Sequence, residues 1–382
     1  MSDRQGLGNC PGQILAEAMQ VGAIDAVVDC SSQGLSDSLV FEFRWAGERR
    51  AVKGWPDAID RAQHLQSTHQ VQRAIGKYLN QSNSPQRVGM PPMEDSSAEV
   101  CRIPMVHCWS NGQSILASQN RLWEWGSWLI GSSRGYESFH QHHLQQAMLA
   151  VAQIHNASGW IGTDVGPSPR WERRIALLRQ LMELDRRSVP RIVPPVFASE
   201  TGEFDSRCVL QELWDCWRQI SPQAFGPLVD AISPNLPRQW IVGDLWRDHL
   251  LFEDNLPCGI IDWGATSWDW RGWDWIRLLT TTPFWNQREA WRWVALGFEA
   301  NRESGPWHKH SSLEEKTSRM AELGCLQVYL TAGQWILWAR QSQQQQVLFL
   351  PKSQGRMTEL VAQLKSWTHP PLQGATQVLP VR

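Results

Sequence analysis

The run Val242-Gly243-Asp244-Leu245-Trp246-Arg247-Asp248-His249-Leu250-Leu251-Phe252, followed by Ile260-Ile261-Asp262-Trp263-Gly264, sets carboxylates on two loops. Two short apolar runs between them, Leu250-Leu251-Phe252 and Gly259-Ile260-Ile261, predict a small hairpin that would bring Asp244 and Asp262 together. Phosphoryl transfer needs a carboxylate to orient an attacking hydroxyl, metal ligands to hold nucleotide phosphates, and a cation on those phosphates. The chain carries candidates in that order. Alone, Asp244 would be read as a helix cap or a solvated turn, and His249 as a hydrogen-bonded loop residue. The ordered set is what points to chemistry.

These loops need a frame. The stretch Leu39 to Lys53 predicts a β-hairpin turning at Ala46-Gly47, after an amphipathic helix over Leu15 to Val28 and a Gly/Ser-rich turn at Ser31 to Ser36. Asp57 to Leu79 reads as helix, and Asn80 to Ser97 as an exposed loop. Asn111-Gly112, between Met105 to Trp109 and Ser114 to Leu116, is a hairpin signal, and Arg121 to Leu129 reads as the returning strand. From His142 to His155, Leu144, Ala147, Met148, Val151 and Ile154 recur at helical spacing and begin an α-rich half. Further helices are expected over Trp171 to Leu184, Val209 to Ile220, Asp274 to Thr280, Arg288 to Phe298 and Leu313 to Arg340.

With the hairpin and its neighbours in place, the sequence resembles the aminoglycoside phosphotransferase and choline kinase superfamily. The matching residues are Gly243-Asp244, Leu250-Leu251-Phe252, Ile261-Asp262-Trp263-Gly264 and Asp274-Trp275-Ile276-Arg277-Leu278-Leu279. The resemblance implies an α+β, protein-kinase-like two-lobed fold, with a small β-rich N-lobe over residues 1–128 and a larger α-rich C-lobe over 129–368. Residues 369–382 would be a loosely ordered tail. It also implies Asp244 as catalytic base, Asp262 as metal ligand, and Asp274 as support for the catalytic loop. Upstream, Ala51-Val52-Lys53 looks like the strand lysine that contacts the α/β-phosphates. Gly34 and Ser36 sit where the family's phosphate-covering turn lies, and Glu124 and Trp125 where a strand and hinge line the adenine pocket. The cofactors implied are ATP and Mg2+, with Mn2+ an option, and the partners are the nucleotide and a small-molecule acceptor.

The sequence departs from the family pattern in three places. Val242 replaces a bracing histidine. His249 stands where the family has a metal-binding asparagine, so either Asp248 substitutes or the metal relies on Asp262 and the imidazole. No glutamate occurs between Lys53 and Glu94, so the helix partner of the lysine is missing, and His69 or Gln70 would have to stand in. The expected function is therefore ATP-dependent phosphorylation of a hydroxyl on a small molecule. The alternative is an inactive kinase-like protein that binds a nucleotide or a protein partner. Protein-substrate phosphorylation ranks last, because no A-P-E motif follows Asp262.

Composition narrows the rest. A formal net charge of −2 over 382 residues gives no electrostatic reason to expect nucleic acid or an anionic membrane as partner. The start of the chain lacks a secretory pattern and no apolar run is long enough to span a bilayer, so the expectation is a cytoplasmic protein. The cysteines show no paired ligand knuckles and read as buried free thiols. The 24 tryptophans are unusual, and Trp263, Trp268, Trp270, Trp273 and Trp275 suggest a cation-binding box, but core packing is the expectation for them.

Overall fold

A computed structural model of the protein describes residues 25–31, 38–81, 101–184, 206–233, 235–300, 311–341 and 351–367. Gly34, Ser36, residues 82–97 of the expected loop and the tail over 369–382 lie outside the described residues, while Asn80 and Gln81 close the helix that begins at Ile59. In chain order the first elements are β1 (Asp25–Asp29), β2 (Leu39–Trp45), β3 (Glu48–Pro56), α1 (Ile59–Gln81), β4 (Leu116–Ser118), β5 (Arg121–Ser127) and α2 (Gln141–Ile161). Then come β6 (Asp164–Pro167), α3 (Pro169–Met182), α4 (Ser206–Trp217), α5 (Gly226–Ala231), β7 (Asn235–Ile241), β8 (Leu250–Glu253), β9 (Leu256–Ile260) and β10 (Ser267–Asp269). The last are α6 (Gly272–Leu279), α7 (Arg288–Ala300), α8 (Leu313–Arg340) and α9 (Pro351–Trp367).

These elements fall into two compact units. The first is Met1–Pro85, Ser96–Gly162 and Val242–Ser267, and the second is Gln86–Asp95, Thr163–Ile241 and Trp268–Arg382. The first unit is built on a five-stranded sheet of order β1-β2-β3-β5-β4, with antiparallel neighbours. The β2–β3 hairpin turns at Ala46-Gly47, both at positive φ, which matches the right-handed twist of its strands. One expectation fails here: Asp25–Asp29 is a strand, where the periodicity predicted helix through Val28. The β-branched pair Val27-Val28 gains a ladder partner in β2 that a helix end would not supply. Leu15 to Ile24 lie outside the described residues.

The register of β3 on β5 decides which side chains share a face. Val52 is opposite Trp125 and Gly54 opposite Trp123, and Val52, Trp123 and Trp125 join Phe41, Phe43 and Trp109 in a hydrophobic core. On the other face Lys53 is opposite Glu124 and Trp55 opposite Leu122. Trp55 and Leu122 pack with Leu65 of α1 and Ile115. α2 buries the stripe expected of it, Leu144, Ala147, Met148, Val151 and Ile154. The β8–β9 hairpin forms as predicted, turning at Asp254 and Asn255.

The second unit holds a three-stranded sheet of order β10-β7-β6 among helices. Its core is aromatic. Trp217 stacks on Tyr329 with ring centroids 5.1 Å apart, and Trp214 stacks on Trp217 at 5.7 Å. Trp270, Trp273 and Trp275 are buried there, as Trp263 is in the first unit, in keeping with packing. Trp268 is only partly buried, and its indole donates to Asp164 Oδ1 at 3.0 Å. β6, β7 and α9 were not anticipated. Pro167 and Pro237 disguise the strands, whereas Met357, Leu360, Val361 and Leu364 of α9 are buried at a legible helical spacing. Among the described residues no helix is long and apolar enough to cross a membrane, and every cysteine is a free thiol, though only Cys101 and Cys258 are buried and Cys108 and Cys208 are exposed.

Candidate active site

The residues singled out around Asp244 and Asp262 fall within the first unit, together with Lys53, Glu124 and His249. Two backbone features aim the aspartates. Gly243 has φ +89°, a conformation that a side chain would strain, so the chain turns sharply into Asp244. Asp262 itself is left-handed, at φ +59° and ψ +66°, an uncommon conformation that aspartate tolerates better than most residues. Gly264 follows with no room for a side chain, since a Cβ there would lie 2.2 Å from the Trp55 ring. Thus the loop after β9 is pressed against β3.

That contact brings a distant lysine into reach. Lys53 Nζ lies 2.7 Å from Asp262 Oδ1 and 3.9 Å from the centre of the Trp55 ring, the residue two places along the same strand face. Burial alone would raise the Asp262 carboxyl. The Lys53 and His249 charges, the Lys53 hydrogen bond and the Gly264 amide outweigh that, and its pKa lies below the ordinary carboxylate value.

His249 links the two aspartate loops. Its Nδ1 is 2.8 Å from the Asp244 carbonyl oxygen, which can only accept, so Nδ1 carries the proton. In the neutral ring Nε2 then presents a lone pair toward Asp262 Oδ2, 3.6 Å away. The Ile261 amide donates to the His249 carbonyl at 2.9 Å and holds the loops together. Two donors 3.6 Å apart can share one ion whose bonds are each about 2.1 Å. Among the described residues no group of three or more His, Cys, Asp or Glu could hold a metal by itself. The Asp262 carboxylate, completed by phosphate and water oxygens, suits Mg2+, which rarely sits in an all-protein cage, whereas the His249 nitrogen is a poorer ligand for so hard an ion. Asp248 lies beside Arg247, at 3.4 Å from its Nε.

Asp244 accepts a hydrogen bond on Oδ1 from Trp246 Nε1 at 2.5 Å, which fixes the plane of its carboxylate. Glu124 extends from the α1-facing side of the sheet and meets His69 Nε2 at 2.5 Å, while His69 Nδ1 meets Ser114 Oγ at 2.8 Å. Of the two stand-ins considered for the helix glutamate, His69 is buried and Gln70 exposed. The Trp125 side chain points into the opposite core. Its carbonyl accepts from the His107 amide at 3.0 Å, and the Ser127 amide donates to the Met105 carbonyl at 3.0 Å, so this stretch of β5 is occupied on its outer edge. Asp274 is fully buried in the first turn of α6, in the second unit. Trp55, Trp246 and His64, which hydrogen-bonds the Gly264 carbonyl at 2.9 Å, went unnoticed in the sequence. Trp55 could have been found from its two-residue spacing to Lys53.

A model of the phosphotransferase enzyme family matches residues 96–307, more than half of the chain. The chain belongs to this family. Among curated proteins no sequence matches it. Among solved structures, an aminoglycoside phosphotransferase from Alicyclobacillus acidocaldarius is 14% identical, with 96% of this chain and 99% of that one covered and a TM-score of 0.50. Amicoumacin kinase, solved with AMP-PNP and Ca2+, is 10% identical, with 100% and 98% covered and a TM-score of 0.50. At such identities the likeness shows the fold, which is α+β and protein-kinase-like. In this phosphotransferase the matched span includes Glu124, Asp244, His249, Asp262 and Asp274 but leaves Lys53 outside.

Proposed function

We propose that the protein transfers the γ-phosphoryl group of ATP to a hydroxyl of a small molecule. The observation that carries this reading is the 2.7 Å pair of Lys53 with Asp262, two residues of the expected types 209 positions apart, beside a histidine that ties Asp262 to the Asp244 loop. Family membership supports the reaction class, and the two structural relatives are a phosphotransferase and a kinase by name.

In this reading Asp244 orients the acceptor hydroxyl and takes its proton as the oxygen–phosphorus bond forms and the bond to the ADP oxygen breaks. Asp262 and His249 would hold Mg2+, or Mn2+, which when bound neutralises charge on the phosphates. Lys53 supplies a further positive charge to those phosphates, and Trp246 keeps the Asp244 carboxylate in one orientation. Because β5 is paired through Ser127 and the Trp128 amide donates to the Arg49 carbonyl, we assign the adenine-side backbone to the segment after them, residues 129–131. The bracing role of Asp274 rests on its place in the D-x-x-R-L-L pattern. The acceptor is a hydroxylated small molecule, as for the family.

The test is slow ATP hydrolysis in the absence of acceptor, comparing intact protein with Asp244→Asn. Loss of at least ~100-fold in the variant, with MgATP affinity kept within about threefold, is expected of a base that acts on the attacking oxygen. Equal hydrolysis by both proteins would overturn the assignment.

A further inference from the structure

The helix that packs beside Lys53 brings no carboxylate to it. α1 carries one acidic residue, Asp60, in its first turn. The carboxylate on that side of the sheet comes from a strand: Glu124 of β5 is the Cα partner of Lys53 in the β3–β5 ladder. Directly opposed residues leave an antiparallel sheet on the same face with Cβ atoms about 5 Å apart, close enough for a lysine and a glutamate to meet. In the structure they are engaged elsewhere, Lys53 with Asp262 and Glu124 with His69.

Filling the site disfavours this arrangement. A divalent cation on Asp262 Oδ2 repels the Lys53 ammonium on Oδ1 and favours its moving to another anion. Its side chain is only 17% exposed, and a displaced ammonium in so enclosed a place needs another anion. Glu124 stands across the ladder, 20% exposed, and its carboxylate is oriented by a histidine that is 1% exposed and anchored in turn by Ser114. His69 therefore prevents Glu124 from turning out to solvent and keeps it on the lysine's side.

We infer that Glu124, held by His69, is the positioning residue for Lys53 in the nucleotide-bound state, so that the lysine exchanges Asp262 for Glu124 as metal and nucleotide bind. The inference rests on the reading of Asp262 as metal ligand. A strand glutamate with a helix histidine would then do what a helix glutamate alone does in the family pattern.

The experiment is calorimetric titration of ATP with Mg2+, and of ATP with EDTA, into intact protein, Glu124→Gln, Lys53→Met and the double variant, with apo melting temperatures alongside. Glutamine can still accept the His69 hydrogen bond but has no charge. A structural role would leave affinity unmoved, whereas a positioning role predicts MgATP binding about tenfold weaker in Glu124→Gln, with the melting temperature within about 2 °C. In the Lys53→Met background the same substitution should cost nothing further. If Glu124→Gln folds poorly, Glu124→Asp against Glu124→Asn gives the same comparison at constant length, with the aspartate binding MgATP more tightly. Full affinity in Glu124→Gln, or additive losses in the double variant, would overturn the inference. Asp262→Asn separates the two levels: unchanged MgATP affinity there would sink the site reading itself, while loss there with none in Glu124→Gln would sink this inference alone.

Discussion

Two cations in this protein lie over tryptophan rings at the same separation, Lys53 Nζ 3.9 Å from Trp55 in the first unit and Arg174 Cζ 3.9 Å from Trp273 in the second. Their other partners set them apart. Arg174 gives its Nε and Nη2 to one neutral acceptor, Gln327 Oε1, at 3.0 and 2.7 Å, and its Nη1 to the Arg170 carbonyl within its own helix. Lys53 is held by a carboxylate whose own backbone is left-handed and whose second oxygen lies 3.6 Å from His249 Nε2. The arginine completes a packed network of neutral groups. The lysine takes part in a charge arrangement that an incoming cation would disturb. Cation–aromatic contact alone thus does not mark a functional site; the carboxylate that can exchange partners does.

The contrast can be broken by experiment. Lys53→Met should lower acceptor-independent ATP hydrolysis by ~100-fold, about 2.7 kcal/mol in the barrier, while stability falls less than in Arg174→Ala, because His249 and the Gly264 amide still face Asp262. Arg174→Ala should do the reverse. Losing the stacked stem and leaving Gln327 Oε1 without its arginine donors should cost about 2 kcal/mol in urea unfolding, with MgATP affinity unchanged. If both variants lost stability and neither lost hydrolysis, the two regions would be alike and the distinction would fall.

A smaller effect concerns pH. The Asp262 carboxyl has a lower pKa folded than unfolded, so the folded state binds fewer protons in that range. Its contribution to stability is then present above about pH 4 and is lost as pH falls through the depressed folded value. The stability difference between intact protein and Asp262→Asn should therefore be greatest near neutrality and shrink on acidification, as read from urea midpoints between about pH 7 and pH 3. A difference that grew with acid would contradict the assigned direction.

Much of the site was legible because its parts are close in sequence or obey a short period. Asp244, His249 and Asp262 flank one tight hairpin, whose apolar runs and turn residues announce it. Lys53 was reached through the resemblance, and the fold supplied the reason: β3 carries it to the loop that Gly264 presses against Trp55. The Glu124–His69 pair was not legible, since it depends on a strand register and a helix position 55 residues apart, and neither residue type is distinctive alone. Trp125 was placed at the adenine pocket from its motif, with backbone groups doing most of the binding, and strand alternation turns its ring into the core on the other face. Among the elements, β1 read as helix because Ala26, Val27 and Val28 run together without a strand's alternation. β6 and β7 hid behind their prolines.

The central claim is that Asp262 and its neighbours bind a metal-bound nucleotide. The most direct measurement is the affinity of ATP for intact protein and Asp262→Asn, titrated with Mg2+, with Mn2+ and with EDTA. The account predicts binding that strengthens at least tenfold with either metal in the intact protein and does not respond to metal in the variant. Metal-independent binding, or equal binding by both proteins, would contradict it.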